Sequence, residues 1–557
     1  MIIVWFLLLI GPLIFIHELG HFALAKLFGV KVHRFSLGFG PAIKGMSWTR
    51  GETEYRISYF PLGGYVKMLG EDPTVEIPEE DKGRAFTHKP LWQRYLIVVA
   101  GPFFNLALPI IIYFFYFAAQ STASPAVVGT VLDGEPADKA GLKPGDRVLS
   151  VNGKTTRYWF DLTRVIRKNP DKNIKLKIKR DGQKLSVKAR PRLRRLETRL
   201  GVVEERGLLG IVPAFTASEI GISDPRSPAA KAGLRRGDWI LKVNNQKTRY
   251  RHQLKRTLEQ TKPGEVLELT ILRPLKPKEA DFADLRVLKP LTLNLSTAAH
   301  PEISEQESPD EKKGAYTGIL SGEMFLDYVE PGSPAHILGL KEGDRIVSAM
   351  NKPLKSWFLF ENILHRHKDK GIPITWKPYG QPLRKGTLHQ KKKIITNEFK
   401  QEEESYIFGA FNRITHHFPD EIPIHNRVIY GGKMAILMTS EIIYDMGLAV
   451  VQMFRGRVPA DSVGGPIMLA NIAQVAASKG WDVFLWIMAL ISLNLGLLNL
   501  LPIPILDGGH VLIFTIEAIR RKPLSLNARI YITYAGLMLI LALMVWAFKN
   551  DIVRYFL

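Results

Sequence analysis

The sequence predicts a polytopic α-helical membrane protein with four transmembrane helices, a β element after the first, and a large polar insert of repeated α+β domains. Three observations carry that prediction. Mean hydropathy over 557 residues is −0.01, with 46% hydrophobic side chains, a balance that calls for apolar spans beside an extensive polar region. Four stretches are apolar over lengths able to cross about 30 Å of hydrocarbon. Between the second and third, one pattern of helix, turn and strand residues recurs three times.

The first span begins at the start of the chain. Residues 1–16 carry no charged side chain, and apolar character resumes from Phe22 to Phe28. No basic segment precedes the run and no small-residue cleavage site follows it, so a retained helix is expected rather than a cleaved signal. The second span runs from about Tyr95 to Ala119. A third runs from Val483 to Leu501 and ends at NLLPIPILDGG, where two prolines must interrupt the helix. The fourth covers Ile530 to Phe548. Residues 433–454 are also apolar, but Lys433, Glu441 and Asp445 interrupt them, which predicts amphipathic helices on the membrane surface across 426–480.

The formal net charge is +23 and the chain has no cysteine, which excludes disulfides and thiolate-bound metal. Lys and Arg are spread from Arg84 to Arg427 without the aromatic interleaving of single-strand binders. Attraction to an anionic lipid bilayer is therefore expected, and no nucleic acid partner. A monomer is expected.

The repeats are EPADKAGLKPGDRVLSVNGK from Glu135, SPAAKAGLRRGDWILKVNNQK from Ser227 and SPAHILGLKEGDRIVSAMNKP from Ser333. Each reads as a Pro-led short helix, a glycine that ends it, a Gly-Asp turn, an alternating strand and an Asn-containing turn. A period of about a hundred residues is too long for a solenoid. The pattern resembles the PDZ domain, whose groove takes a peptide as an added strand, and places three such domains at 124–192, 207–297 and 316–400. The acidic, Pro-containing stretch 301–315 reads as a linker.

Inside the first span stands FIHELGH, residues 15–21. In a helix His17 and His21 share a face, a spacing that lets both imidazoles reach one metal ion, with Glu18 beside them to hold a water. This is HExxH, the pattern of zinc ligands with a general base. Each ionisable group within an apolar span costs about 2.5–3.5 kcal/mol on insertion scales, so the cluster calls for a compensating cation. A catalytic zinc takes a third protein ligand. His33 and Glu52 lie in a polar loop that does not aim them back; the better candidates are distant, Asp507 at the end of the third span and, three residues on, its rival His510. A ligand must share the histidines' depth, so the first and third spans must enter from the same side. The Lys and Arg of the short loops, Lys26, Lys31, Arg34, Lys44, Lys89 and Arg94 after the first span and Arg520, Arg521 and Lys522 after the third, put those loops in the cytoplasm. The metal site then lies near the cytoplasmic face and the repeats are extracytoplasmic.

HExxH in a first span, NxxPxPxLDG from Asn499 to Gly508 ending a later one, and PDZ-like domains between resemble the site-two protease family of intramembrane metalloproteases. The resemblance covers both ends of the chain and the plan of its middle. It implies that His17, His21 and Asp507 bind Zn2+, that Glu18 is the general base and that Asn499 helps hold substrate. It also implies a bacterial inner membrane setting and single-span membrane protein substrates already trimmed by another protease. Residues 35–69 read as a re-entrant β element whose edge pairs with unwound substrate. Within it Gly63 and Gly64 are candidate substrate-binding positions, although they, with Gly38 and Gly40, read first as turn formers. Relatives typically carry one or two PDZ domains; three is a departure, and peptide C-termini are candidate ligands of the array. The competing reading is a membrane-tethered PDZ scaffold without turnover. A metalloprotease acting on soluble chains is disfavoured, because no soluble catalytic domain surrounds HExxH.

Overall fold

The computed structural model describes residues 2–71, 77–197, 203–274, 288–301, 314–368, 370–396, 402–413, 415–455, 464–522 and 524–556. Most of the expected linker, 302–313, lies outside them. Along the chain, α1 (Ile2–Leu27) is followed by a hairpin of β1 (Val32–Arg50) and β2 (Thr53–Met68), then by α2 (Leu91–Ala119). The first repeat holds α3 (Pro136–Lys139), β3 (Arg147–Val151), α4 (Trp159–Arg167), β4 (Ile174–Arg180) and β5 (Gln183–Ala189). The second holds α5 (Pro228–Lys231), β6 (Trp239–Val243), α6 (Arg251–Leu258), β7 (Val266–Pro274) and β8 (Leu288–Ser296). The third holds α7 (Pro334–Ile337), β9 (Arg345–Ala349), α8 (Trp357–Arg366), β10 (Ile372–Lys377) and β11 (Arg384–Leu388). Five helices close the chain: α9 (Arg427–Phe454), α10 (Pro466–Lys479), α11 (Trp481–Asn499), α12 (Asp507–Arg520) and α13 (Leu526–Phe556). The helices with the β1–β2 hairpin form one compact unit, and the repeats a second.

In the first unit, Trp5 meets Trp481 and Phe484 with ring centroids 5.9 and 5.7 Å apart, so α1 and α11 begin side by side and run in the same direction. Leu9 and Leu13 of α1, Ala473 and Ala476 of α10, and Phe484 and Met488 of α11 form their shared core. Glycines bring helices together: a Cβ on Gly20 would lie 2.4 Å from the Ala100 carbonyl oxygen, so α1 and α2 touch backbone to backbone. Among the described residues, five helices are long and apolar enough to cross a membrane. The fifth candidate is α9 (Arg427–Gln452 by hydropathy), which the sequence placed on the membrane surface; it begins beside the end of α2, with Tyr430 against Phe117, and packs along it. Arg94 of α2 lies over the Phe514 ring at 5.0 Å and 3.9 Å from Glu517, which also accepts from Arg529, so buried Glu517 ties α12 to α2 and α13.

The β1–β2 hairpin folds over itself into a small meander. The first half of β1 pairs on both sides: Leu37 faces Gly64 on one side and Ile57 on the other, and Ser36 faces Tyr65 and Arg56. The end of β1 continues outward, with Trp48 opposite Tyr55. Residues 64–68 therefore form an edge. Phe35 packs against Phe15 and Phe22 of α1, at 5.9 and 5.4 Å between centroids, which sets the sheet along the helix that carries HExxH. Gly38 and Gly40 adopt positive φ (92° and 84°) where the register of β1 shifts, inside the strand rather than in a turn between strands. Gly63 and Gly64 do not: both lie in β2, and the reading of these glycines as turn formers is corrected. They are glycines because something presses on them. A Cβ on Gly63 would lie 2.3 Å from the Phe39 ring.

In the second unit each repeat builds the expected pieces. Pro opens each short helix, and Ser227 and Ser333 cap two of them by accepting from Ala230 and His336 amides. Gly141, Gly233 and Gly339 end the helices at φ near 75–90°. The Gly-Asp aspartates close the following turn: Asp146, Asp238 and Asp344 accept from the amides of Lys143, Arg235 and Lys341 at 2.8–3.0 Å. Asp146 and Asp238 are fully buried and are offset by Arg180 and Arg273 from the neighbouring strand. Each repeat has its own apolar core, around Leu176, Leu269 and Ile374 respectively.

Candidate metal centre

His17 and His21 sit on one face of α1, both about nine-tenths buried, as the four-residue spacing requires. The turn after α11 reverses the chain so that Asp507 opens α12 against that face. Its strain is local and visible: Ile505, a β-branched residue, is held at φ 85°, a conformation such side chains avoid. Gly508 packs where a Cβ would lie 2.2 Å from the Leu501 carbonyl oxygen, and only glycine lets the turn close this tightly. As a result Asp507 Oδ2 lies 3.2 Å from His17 Nε2, and Oδ1 lies 3.4 Å from His21 Nε2. The two Nε2 atoms are 3.2 Å apart.

Those distances test whether a metal fits. Two donors each about 2.0–2.1 Å from a tetrahedral zinc stand about 3.3–3.4 Å apart; the imidazole pair and each imidazole's nearer carboxylate oxygen are at that spacing, and one atom from each residue lies within 4.8 Å of the others. The protons point the same way. His21 Nδ1 is 2.8 Å from the Ile97 carbonyl oxygen, which can only accept, so Nδ1 carries the hydrogen and Nε2 presents a lone pair. Asn105 is fully buried, with its amide nitrogen placed 3.2 Å from His17 Nδ1 and its Oδ1 left without a partner. Turning the amide over satisfies both: Oδ1 accepts from His17 Nδ1–H, and His17 Nε2 becomes a lone-pair donor as well. Three electron-rich atoms then converge in an apolar helix bundle, an arrangement that a cation stabilises and that is repulsive without one. Among the described residues this is the group of His and acidic side chains able to hold a metal. Buried Ser492 of α11 donates to the Asn105 carbonyl at 2.7 Å, fixing the segment that carries the amide.

The neighbours of this cluster are equally specific. A Cβ on Gly101 would lie 2.2 Å from His21 Nε2, so α2 must present glycine there. Glu18, buried at 8% exposure, faces the β edge: the position of a Cβ on Gly64 is 2.7 Å from Glu18 Cγ. Asn499 Nδ2 stands 3.4 Å from His17 Nε2. Of the rivals, Glu52 is engaged by Lys26 and Arg84, and His510 is outside the converging group. Asn105 was read from the sequence as packing. The signal that could have singled it out is a carboxamide inside an apolar span, four residues after the Gly101 that touches His21.

Comparison with known proteins gives the family of the chain. The profile of Peptidase family M50 matches residues 5–543. The chain belongs to that family. It is 28% identical to "Regulator of sigma-E protease RseP" of Escherichia coli (strain K12) over 99% of this chain and 98% of that one. It is 26% identical to "Regulator of sigma E protease" of Haemophilus influenzae over 99% and 98%. It is 27% identical to a Thermotoga maritima protein named "Putative zinc metalloprotease" over 100% and 99%. As an M50 peptidase the chain is an intramembrane zinc metalloprotease and a multi-pass membrane protein.

Proposed function

We propose that His17, His21 and Asp507 hold the zinc, that Glu18 moves the proton, and that the Gly64 edge of β2 together with Asn499 holds the substrate. The observation that carries this reading is the convergence of three donor atoms within 4.8 Å of one another, with Glu18 and a strand edge alongside. When bound, the zinc polarises the scissile carbonyl and brings the pKa of its water to about 7. Glu18 would accept a proton from the attacking water and pass it to the leaving amine. A transmembrane helix hides its carbonyls in internal hydrogen bonds, so the substrate must unwind to be cut, and its exposed backbone needs partners in a water-poor site. The 64–68 edge offers them by strand addition. Large side chains exposed at the far end of the sheet, Phe39, Trp48, Tyr59 and Phe60, suit a re-entrant element against lipid.

Four complete spans are proposed. Since α1 and α11 run in the same direction and α2 brings the chain back to the starting face, the segment between α2 and α11 must cross an even number of times. At 14 residues, α10 spans about 21 Å, short of a hydrocarbon core of about 30 Å. On this reading α9 does not complete a crossing. The Lys and Arg of the short loops put the metal site near the cytoplasmic face of a bacterial inner membrane and the repeats outside. The repeats are proposed to be PDZ-like domains that take new peptide C-termini and exclude untrimmed proteins. The substrates would be single-span proteins already shortened by another protease, in the manner that the name of the sigma-E regulator relative suggests. Glu18→Gln in detergent-solubilised protein tests the mechanism: zinc content stays at the wild-type level while cleavage of a tagged single-span peptide falls by at least about a hundredfold. Retained cleavage overturns it.

A further inference from the structure

The outer face of the first repeat's sheet is rich in basic side chains. Strand β4 alternates buried Ile174, Leu176 and Ile178 with exposed Lys175, Lys177 and Lys179, and β5 presents Lys184 and Lys188 on the same outer side. The register sets these charges against one another: Lys175 is directly opposite Lys188, and Lys179 lies between Lys184 on one strand and Arg147 on the other. Directly opposite residues hold their Cβ atoms about 4.5–5.5 Å apart, so like charges there repel. The neighbouring carboxylates do not relieve them, because Asp146 is taken by Arg180 and Asp181 by Arg256.

The fold does not ask for this charge. The three repeats align through Leu176, Leu269 and Ile374, which face Val151, Val243 and Ala349. The places of Lys175, Lys177 and Lys179 are then held by Glu268, Thr270 and Leu272 in the second repeat, and by Pro373, Thr375 and Lys377 in the third. Two sheets of the same design stand without the basic row. The first repeat is also the one joined most closely to a membrane helix: residues 120–125 alone separate the end of α2 from Ala126 of its core, a reach of about 20–25 Å.

We propose that this face, formed by Arg147, Lys175, Lys177, Lys179, Lys184 and Lys188, docks on the anionic phosphate headgroups of the membrane that holds the helices. A bilayer is the polyanion this chain always has beside it, and a tether this short keeps the headgroups at high effective concentration. A flat row of ammonium groups on extended backbone suits a planar array of phosphates. Docking would hold the first repeat in one orientation above the bilayer.

The chain has no native cysteine, so Ser186→Cys, in the middle of the patch opposite Lys177, takes a single fluorophore in the full-length protein. The protein is reconstituted in phosphatidylcholine vesicles, or in vesicles with 30% phosphatidylglycerol, each carrying headgroup-nitroxide lipid. The expected result is strong quenching with phosphatidylglycerol only, lost in 0.5 M salt. Each lysine removed should lower the docked-to-free ratio about five-fold, so Lys175→Gln, Lys177→Gln and Lys179→Gln together lower it about a hundredfold. Hydrogen exchange of β4 and β5 in free detergent should be unchanged in that triple variant, which separates lost docking from lost folding. The same label at Asn294, on the outer face of the second repeat, should not respond to lipid charge. Equal quenching in both lipids, no quenching in either, or a triple variant that quenches like its parent overturns the proposal; the second result would leave the face to an acidic protein.

Discussion

The carboxylate-bearing chain of Glu18 and the backbone of Gly64 are in direct contact: a Cβ on Gly64 would stand 2.7 Å from Glu18 Cγ and 2.9 Å from the Ser36 carbonyl oxygen. A strand edge thus lies against the proposed general base with no side chain between them. Gly64→Val must push either the sheet or Glu18 away. A displacement of about 1 Å at a reacting group costs about a hundredfold in rate. Cleavage of a model single-span peptide should fall by that order while zinc content, measured by atomic absorption, stays at wild type. Wild-type turnover would show that the contact has no part in the chemistry.

Replacing Asp507 by Ala should remove zinc, and replacing His510 by Ala should not. Only the first lies within 3.4 Å of the two imidazoles. Metal content per chain after dialysis against a weak chelator separates them. Zinc kept in Asp507→Ala and lost in His510→Ala would make His510 the ligand and Asp507 a turn residue.

Asn105→Leu keeps the volume of the side chain and removes the acceptor for His17 Nδ1–H. Loss of such an outer partner typically weakens metal affinity by 10–100-fold. Competition with a fluorescent chelator should report that change, and Asn105→Asp, which keeps an acceptor, should recover most of it. An unchanged affinity in the Leu variant would assign Asn105 to packing alone.

Burial against Phe215 and Tyr250, with Arg256 adding repulsion, pushes His252 down to about 4. Between pH 6.5 and 4 the unfolded chain therefore takes up a proton that the folded second repeat refuses. Its stability rises with pH across that window and is fully present above 6.5. The ceiling is about 3 kcal/mol, less the share screened by solvent. Denaturant unfolding of the repeats in the detergent-solubilised chain, followed by hydrogen exchange, should show this slope, and His252→Gln should flatten it. An identical slope in the variant would place the titration elsewhere.

Much of this was legible without coordinates, and the reason is locality. The three Pro-led helices and Gly-Asp turns follow from residues a few positions apart, since caps, positive-φ glycines and alternation act within one or two turns of chain. HExxH is legible on the same ground, because its spacing is a property of a single helix. The basic row on β4 also stands in the sequence as IKLKIKR, yet its mutual opposition appears only when β3 and β5 are paired with it.

By itself the sequence determined the helices, the repeats and the two imidazoles that share a face. The tertiary structure brought Asp507 rather than His510 against the two imidazoles, set Asn105 beside His17, and turned Gly63 and Gly64 from turn formers into strand residues pressed by Phe39 and Glu18. These depend on how closely α1, α2 and the hairpin approach, which is set by backbone contact at Gly20, Gly64 and Gly101. Such contact is made between segments remote in the chain, and no local pattern encodes which surfaces will meet.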